Sequence, residues 1–424
     1  MVMDFELLVL VAMVGVFVGV FFLLRQPVAI GLMVAAVAGA VVAGEGLPWR
    51  QLVEGTFAFF DLILIIATAM VYMKMLEQSG VLHTLGRQVT ERFHRRPGLL
   101  VMALMLLVMF PGMITGACAT AIFTTGAMVA PVMINLGVPR VQTAAMVAMG
   151  SLLGMIAPPV CIPAMIIAEG IDMPYVGLFW PLFLLTVPPG LILAWAMSRR
   201  HVRTDLDGAT LAASLRPSVY PAHGWKLYLP LGVLFLLMIA PKVAPRQVYD
   251  IGLPLMLVIA TITGLFTGEK VDVGEAVRSG MKEAIPVMAL MAGVGMFIEV
   301  MTLTGARGYF VATALALPKI WLVATAAVAL PVFGIISAFG GASVLGVPLF
   351  LALLGKEQVM ALSALALIVG VGEIVPPTAV AALFSAQLLG LESHFPVVRR
   401  CVWPGVAVLL LGVVVLVWAN WGGS

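Results

Sequence analysis

The chain has 424 residues, of which 62% are hydrophobic and only 10% are charged. Soluble proteins carry about 25% charged residues, so the composition excludes a soluble fold and predicts an all-α polytopic membrane protein with the lipid bilayer around it. The net charge of +3 is small, and no basic patch is interleaved with aromatics, so nucleic acid is not an expected partner. The three cysteines and five histidines show no metal-ligand or catalytic spacing, so we expect no cofactor and no enzyme.

The first half of the chain predicts five membrane spans, because apolar segments of about 20 residues recur in it. The acidic N-terminus is unlike that of a cleaved signal peptide, so the first span is expected to be retained. A short amphipathic piece at 48–55 follows the second span, and a basic connection at 83–97 follows the third. The five predicted spans are 5–24, 28–44, 57–77, 141–169 and 176–197.

Between the third and fourth spans, two apolar arms at 98–136 meet at the small residues 115–120. Both outer ends of this pair are basic, with Arg95 and Arg96 before it and Arg140 after it. Full spans would place these ends on opposite faces of the membrane. We therefore predict a re-entrant hairpin, whose two ends lie on one face.

A polar stretch at 201–226 divides the chain and is predicted to be a cytoplasmic connection. The second half again predicts five spans and one hairpin, at 309–354 around Ser337 to Ser343. These five spans are 227–241, 248–266, 284–303, 357–390 and 401–419.

The two halves have matching spacings. Two glycines lie 25 residues apart in each half, and a glycine stands 21 residues before a proline pair in each half. The matched positions are Gly55 and Gly80 with Gly280 and Gly305, and Gly137 and Pro158 with Gly355 and Pro376. Five spans are an odd number, so the repeats, 1–200 and 227–424, are expected to be inverted, as in secondary transporters.

The distribution of basic residues predicts the orientation. With the N-terminus outside, the outer face holds Arg50, Lys242, Arg246, Arg307, Lys319 and Lys356, and sixteen other Lys and Arg residues lie inside. Lys74 lies within a span. The prediction is therefore a multi-pass protein of the bacterial inner membrane, with the N-terminus and the opening of the second hairpin on the outer side.

Proline pairs and small-residue clusters interrupt the apolar segments at matched places. Unpaired backbone at membrane depth persists only where it is buried in protein or lines a cavity. Free helix N-termini suit a carboxylate, and free carbonyls suit Na⁺. The alternative is that these small residues serve helix packing. The predicted substrate and ion site comprises Thr115, Gly116, Ala117, Thr120, Pro158, Pro159, Ser337, Gly340, Gly341, Ser343, Pro376, Pro377 and Thr378.

Glu373 completes this predicted site. It stands three residues before Pro376 in an otherwise apolar span, where an ionisable side chain is costly and is by default a functional candidate. It could bind Na⁺, take up a proton, or serve as a hydrogen-bonded packing residue. Asp61, Lys74 and Glu299 also lie in apolar spans and are interpreted as interface or snorkelling charges.

These motifs resemble the large membrane subunit of the TRAP (tripartite ATP-independent periplasmic) transporters, the DctM-type subunit. The resemblance covers nearly the whole chain and rests on the order and spacing of short motifs. In the first half they are 112–116, Pro131, Gly137 and 154–159; in the second half they are Gly334, Pro348, Gly355 and 372–377.

The resemblance implies a secondary active importer that couples uptake of a small organic acid, such as a dicarboxylate, to Na⁺ by an elevator mechanism. It also implies two partners, a small four-helix membrane subunit and a soluble periplasmic substrate-binding protein. The chain has Ala117 and Val160 where the family usually has serine, and Glu373 where it has an apolar residue. H⁺ is therefore the alternative coupling ion.

Two other functions remain as alternatives. A stand-alone Na⁺- or H⁺-coupled carboxylate symporter would work without a binding protein. A polytopic membrane enzyme would need a catalytic cluster of Asp, Glu, His or Ser, and no such spacing occurs.

Overall fold

A computed structural model of the chain describes residues 2–175, 177–202, 211, 215–244, 246–353, 355 and 357–421. Within these ranges every regular element is helical and no strand occurs, which confirms the predicted all-α fold. Part of the predicted connection at 201–226, including Arg203, lies outside the described residues, as do Leu354 and Lys356.

The first half consists of helices joined by short turns. They are α1 (Val2–Phe22), α2 (Val28–Val42), α3 (Trp49–Phe57), α4 (Phe60–Gln78), α5 (Val81–Phe93), α6 (Pro97–Thr115), α7 (Cys118–Ala121), α8 (Ala127–Asn135), α9 (Arg140–Ile156), α10 (Ile162–Glu169) and α11 (Phe179–Ser198). A π-helical turn, Ile122–Gly126, joins α7 to α8.

The described rest of the chain is also helical. Its helices are α12 (Tyr220–His223), α13 (Leu229–Val243), α14 (Leu253–Gly264), α15 (Val273–Leu303), α16 (Ala306–Leu315), α17 (Lys319–Gly334), α18 (Ala338–Gly341), α19 (Val347–Ala352), α20 (Gln358–Gly370), α21 (Val380–Leu388) and α22 (Phe395–Trp421). A π-helical turn, Ala342–Gly346, joins α18 to α19.

Three segments differ from their predicted form. Most of the predicted connection at 83–97 is the amphipathic helix α5. Helix α15 begins well before residue 284, because the Asp272 carboxylate accepts the Glu275 N–H at 3.0 Å and caps it. The first arm of the hairpin predicted at 309–354 is divided into α16 and α17, because Pro318 disfavours helical backbone at the residue before it.

Among the described residues, seven helices are long and apolar enough to cross a membrane, and the bent pair α3–α4 would be an eighth. Among the seven are Pro97–Thr115 and Cys118–Asn135, the arms of the first hairpin. Six shorter apolar helices, also among the described residues, include the two arms of the second hairpin and the helices that precede the two proline pairs. The multi-pass topology is therefore shown, while the re-entrance of the hairpins stays a prediction.

The helices pack into two groups. Helices α1–α4 and α13–α15 contact one another and form what we call the frame bundle. Helices α6–α11 and α17–α22 form what we call the hairpin bundle. Helix α5 contacts α4 and α6, and α16 contacts α1, α15 and α19, so these two short helices connect the groups.

Matched glycines begin the two connecting helices. Gly80 precedes α5 with φ +80°, and Gly305 precedes α16 with φ +76°. Residues that carry a side chain rarely adopt this left-handed backbone conformation, so both sharp turns depend on glycine. The inversion of one half relative to the other stays a prediction.

Candidate functional site

The first tip is a turn of two residues between α6 and α7. Gly116 has φ +65°, and Ala117 is extended. The Thr115 hydroxyl donates to the Pro111 carbonyl at 2.8 Å and accepts the Ala117 N–H at 3.3 Å. One side chain therefore satisfies the backbone on both sides of the turn.

The first proline break is attached to this tip through the backbone. Helix α9 ends at Ile156, and the Pro158–Pro159 peptide bond after it is cis. The Val160 N–H, just beyond the prolines, donates to the Met113 carbonyl at 3.0 Å. A main-chain hydrogen bond therefore links the break to the tip.

Glycines make the close approach of tip and break sterically feasible. A Cβ on Gly112 would lie 2.8 Å from the carbonyl carbon of Gly154. In the second half, a Cβ on Gly334 would lie 2.9 Å from the Cα of Gly372. Real Cβ atoms do not approach backbone so closely, so each half requires glycine where its hairpin arm crosses its broken helix.

The second tip is capped by a side chain. Ser337 is extended, and its hydroxyl oxygen accepts the N–H groups of Phe339 at 3.2 Å and Gly340 at 3.5 Å. Its carbonyl accepts the Gly341 N–H at 2.9 Å. The Ser343 hydroxyl donates to the Gly340 carbonyl at 2.9 Å. The predicted hydroxyls and glycines of this tip are therefore joined in one hydrogen-bonded turn.

Glu373 and Thr378 attach the second proline break to the second tip. Glu373 is only 8% exposed, and its Oε1 accepts the Ala338 N–H at 3.2 Å. The Thr378 hydroxyl donates to the Ile335 carbonyl. The Pro376–Pro377 peptide bond is also cis. Among the described residues Glu373 has no ion-pair partner, so a buried carboxyl group lies at the predicted site and contacts the hairpin backbone.

The two halves interlock at these elements. Helix α10, after the first break, packs against the second hairpin, where a Cβ on Gly346 would lie 2.9 Å from Ile167. Helix α21, after the second break, packs against α9 and the first hairpin, and the rings of Phe123 and Phe384 are 5.5 Å apart. Both tips and both breaks therefore belong to one cluster inside the hairpin bundle.

Both tips also face the frame bundle. The Thr120 hydroxyl lies 3.5 Å from the Met70 sulfur on α4. A Cβ on Gly340 would lie 3.8 Å from both Phe17 on α1 and Val28 on α2. A displacement of one bundle against the other would therefore change what each tip contacts.

A cavity of about 390 Å³ borders the first break. Pro158, Pro159 and Tyr175 line it from the hairpin bundle, and Lys242 and Asp250 line it from the opposite side. The Tyr175 hydroxyl oxygen accepts the N–H of Cys161, and the Lys242 ammonium lies 5.3 Å from the centre of the Phe179 ring. Sequence reasoning missed Tyr175 and Lys242, whose only signal is a position at the end of an apolar segment.

The described part of the chain contains no group of three or more His, Cys, Asp or Glu side chains that could hold a metal ion. Its three cysteines are buried and unpaired. Any cation at the tips would rely on backbone carbonyls, on hydroxyls such as those of Thr115 and Ser337, and on the Glu373 carboxylate. Hard oxygen ligands of this kind suit Na⁺ in broken transporter helices.

The structure thus places all fourteen predicted site residues at the two tips and two breaks. Each break is hydrogen-bonded to the tip of its own half, while contact between the halves is made by packed helices and not by hydrogen bonds among the predicted residues. Whether any of them binds substrate or ion stays a prediction.

Two solved transporter structures are similar to this chain. The Alcanivorax borkumensis YdaH transporter has a TM-score of 0.60 and 17% identity over 88% of this chain and 88% of its own. Neisseria gonorrhoeae MtrF, which is described as illuminating a class of antimetabolite efflux pumps, has a TM-score of 0.63 and 12% identity over 87% of this chain and 83% of its own. At these identities the likeness concerns the fold. No curated protein matches the sequence significantly.

A sequence model of one family matches residues 13–421, nearly the whole chain. Its description is "Tripartite ATP-independent periplasmic transporter, DctM component". Such a component is one of three, so a small membrane subunit and a periplasmic binding protein are implied as partners. This chain belongs to the DctM family and is a membrane transporter component, not an enzyme.

Proposed function

We propose that this chain is the transporting subunit of a secondary active importer of a small organic acid, coupled to Na⁺ and supplied by a periplasmic binding protein. The observation that supports it best is the interlocked cluster of two tips and two proline breaks. Broken helices that meet across an internal repeat are the usual binding site of secondary transporters.

The division into two bundles supports an elevator mechanism. The tips and breaks all lie in the hairpin bundle, and Thr120 and Gly340 contact the frame bundle. Sliding of the hairpin bundle along the frame bundle would carry the cluster from one side of the membrane to the other. Helices α5 and α16 would change their angle as the two groups move.

The proposed orientation has the N-terminus outside and the central connection in the cytoplasm of a bacterium. Most Lys and Arg residues then lie on the cytoplasmic face. The binding protein would then deliver the acid on the face that holds Lys242, and the cavity beside Pro158 and Pro159 would be its first contact.

Glu373 supports H⁺ as a second candidate for the coupling ion. Its carboxyl is buried, it contacts the backbone of the second tip, and it has no cation partner in the described part of the chain. A buried carboxyl group without such a partner either binds a cation or takes up a proton.

Purified chain and its two partners, reconstituted in vesicles, would test these proposals. Candidate acids are first ranked by thermal stabilisation of the purified chain, with and without Na⁺ and across pH. Uptake of the best acid is then driven by a Na⁺ gradient or by a pH gradient. Uptake that requires the Na⁺ gradient supports Na⁺ coupling, and uptake that does not require the binding protein supports the stand-alone symporter.

The Glu373→Gln variant tests the role of the carboxyl group. The amide keeps an oxygen for the Ala338 N–H but can neither carry a negative charge nor exchange a proton. We expect coupled uptake to fall at least about tenfold, because a charged ligand or proton carrier has been removed. The control is Glu299→Gln, a half-buried glutamate of the frame bundle. Unchanged uptake and unchanged ion dependence in Glu373→Gln would exclude the coupling role.

A further inference from the structure

A second cavity, of about 320 Å³, lies between the second arm of the first hairpin and helices α4 and α5. Thr124 and Thr125 line it from the hairpin, His83 lines it from α5, and Arg216 lines it from the central connection. Its volume is at the lower end of the range of small-molecule sites. Of its walls, the one formed by the hairpin belongs to the bundle that would move in the proposed elevator.

This cavity adjoins a larger one of about 620 Å³, and the two share Glu77, His83 and Arg216. The larger cavity lies beneath the central connection, which is fixed to α5 where the Val219 N–H donates to the Thr84 hydroxyl at 3.2 Å. The exposed Arg216 side chain therefore lines both cavities, where a solute passing between them would meet it.

At the junction Lys74 is paired with carboxylates, whereas Arg216 and Glu269 are charged groups without an ion-pair partner among the described residues. Glu77 is bound to Lys74 at 3.2 Å, and Lys74 also binds Glu283 at 2.7 Å. Arg216 has no ion-pair partner in the described part of the chain. Glu269 lines the larger cavity but not the smaller one.

His83 supplies a neutral polar group beside Arg216. Burial lowers the pKa of its imidazole, and the Arg216 charge lowers this pKa further, against smaller opposing effects of Glu77 and Glu269. The ring therefore stays uncharged near pH 7 and can donate one hydrogen bond and accept another.

We propose that Arg216, together with His83, forms an anion-binding subsite for a small carboxylate on the path between the first hairpin and the face of the central connection. The guanidinium fork matches a carboxylate in geometry and charge. This subsite rests on the proposed import of an organic acid and supplies the arginine that the apolar spans lack. On the proposed orientation it binds the acid as it leaves the hairpin.

Charged thiol reagents can probe the subsite without any knowledge of the substrate. Thr124→Cys places a thiol in the cavity, whereas the native Cys118, Cys161 and Cys401 are at most 5% exposed and give little background. The purified chain is treated with anionic sulfonatoethyl methanethiosulfonate or with its cationic trimethylammonium analogue. With each rate divided by that of the same reagent with a free thiol, we expect the anionic reagent to react faster. We expect Arg216→Gln to lower the anion-to-cation rate ratio by at least about tenfold, because a unit charge that lines the same cavity favours one reagent and repels the other.

Matched variants and a competing ion show whether the effect comes from a subsite at Arg216 or from the general charge of the protein surface. Arg216→Lys should keep most of the ratio, and Arg200→Gln, which removes the same charge outside the cavity, should leave it unchanged. Succinate should slow the anionic reagent more than NaCl of equal ionic strength does. A ratio that survives Arg216→Gln, an introduced thiol that is inert to both reagents, or equal slowing by succinate and chloride would overturn the subsite. Because labelling requires no transport, these results are independent of the uptake experiments.

Discussion

The two tips share a backbone plan, but different chemical groups hold them together. In the first half, the carbonyl of Met113 accepts a backbone N–H, that of Val160. In the second half, the corresponding carbonyl of Ile335 accepts a side-chain hydroxyl, that of Thr378. The contact between hairpin arm and break is thus kept, while the donor changes from main chain to side chain.

The caps of the two tips differ in the same way. Ala117 precedes the first residue of the second arm of the first hairpin and cannot cap it, and Thr115 accepts only the N–H of Ala117 itself. Ser337 holds the matching position and caps two N–H groups itself. Polar side chains therefore fix the second tip, and main chain and packing largely fix the first. The two tips therefore keep a similar geometry, but the polar side chains that stabilise it are concentrated in the half that contains Glu373.

In each half, glycines allow a hairpin arm to cross the broken helix closely. These positions give the strongest test that the two halves share one packing arrangement. A Cβ on Gly154 would lie 2.8 Å from the Met109 Cα, and one on Gly372 would lie 2.8 Å from the Gly334 carbonyl oxygen. We expect Gly154→Ala and Gly372→Ala each to lower the free energy of unfolding by about 3 kcal/mol, because backbone cannot move aside cheaply. Denaturant unfolding in detergent measures this. Gly15→Ala, with nothing within 4 Å, should not lower it, because alanine is favoured over glycine inside a helix. Loss of stability in one half alone would contradict a shared plan.

The difference in capping predicts opposite effects in the two tips. Ser337→Ala should lower the free energy of unfolding by about 1 kcal/mol, because two N–H groups lose their acceptor. Ala117→Ser should raise it by a similar or smaller amount, since the added hydroxyl would cap an uncapped arm. Thermal unfolding of both variants provides the measurement, with Ser279→Ala, inside α15, as the control. Two changes of the same sign would show that the tips do not differ in this way.

Removing the Thr378 hydroxyl, which joins the second break to its tip, should change the free energy of unfolding least. Thr378→Val keeps the shape of the side chain but removes the donor to the Ile335 carbonyl. We expect a loss of about 0.6 kcal/mol, the average of hydrogen bonds between membrane helices, and faster amide exchange in the second tip. Thr261→Val is the control, because its hydroxyl bonds the Leu257 carbonyl of its own helix. Equal effects of the two variants would show that the Thr378 contact adds nothing.

Several elements could be predicted because their signals are local. The first hairpin, expected at 98–136, is found as α6 to α8, with its tip inside the expected 115–120. Both proline breaks lie where the sequence places them. The second hairpin was less well predicted, because residues 309–317 carry no charge and only Pro318 marks the division between α16 and α17. Helix α5 was missed because a basic amphipathic helix and a basic loop have similar composition.

The sequence by itself determined that the chain is helical and membrane-bound, and where its helices break, because composition, proline and glycine act through neighbouring residues. Only the tertiary structure decided which broken ends meet: α10 with the second hairpin, and α21 with the first. It also decided that Glu373 contacts the second tip and that Arg216 faces the first hairpin. These contacts join residues far apart in the chain, and their partners depend on how whole helices pack, which no local pattern specifies.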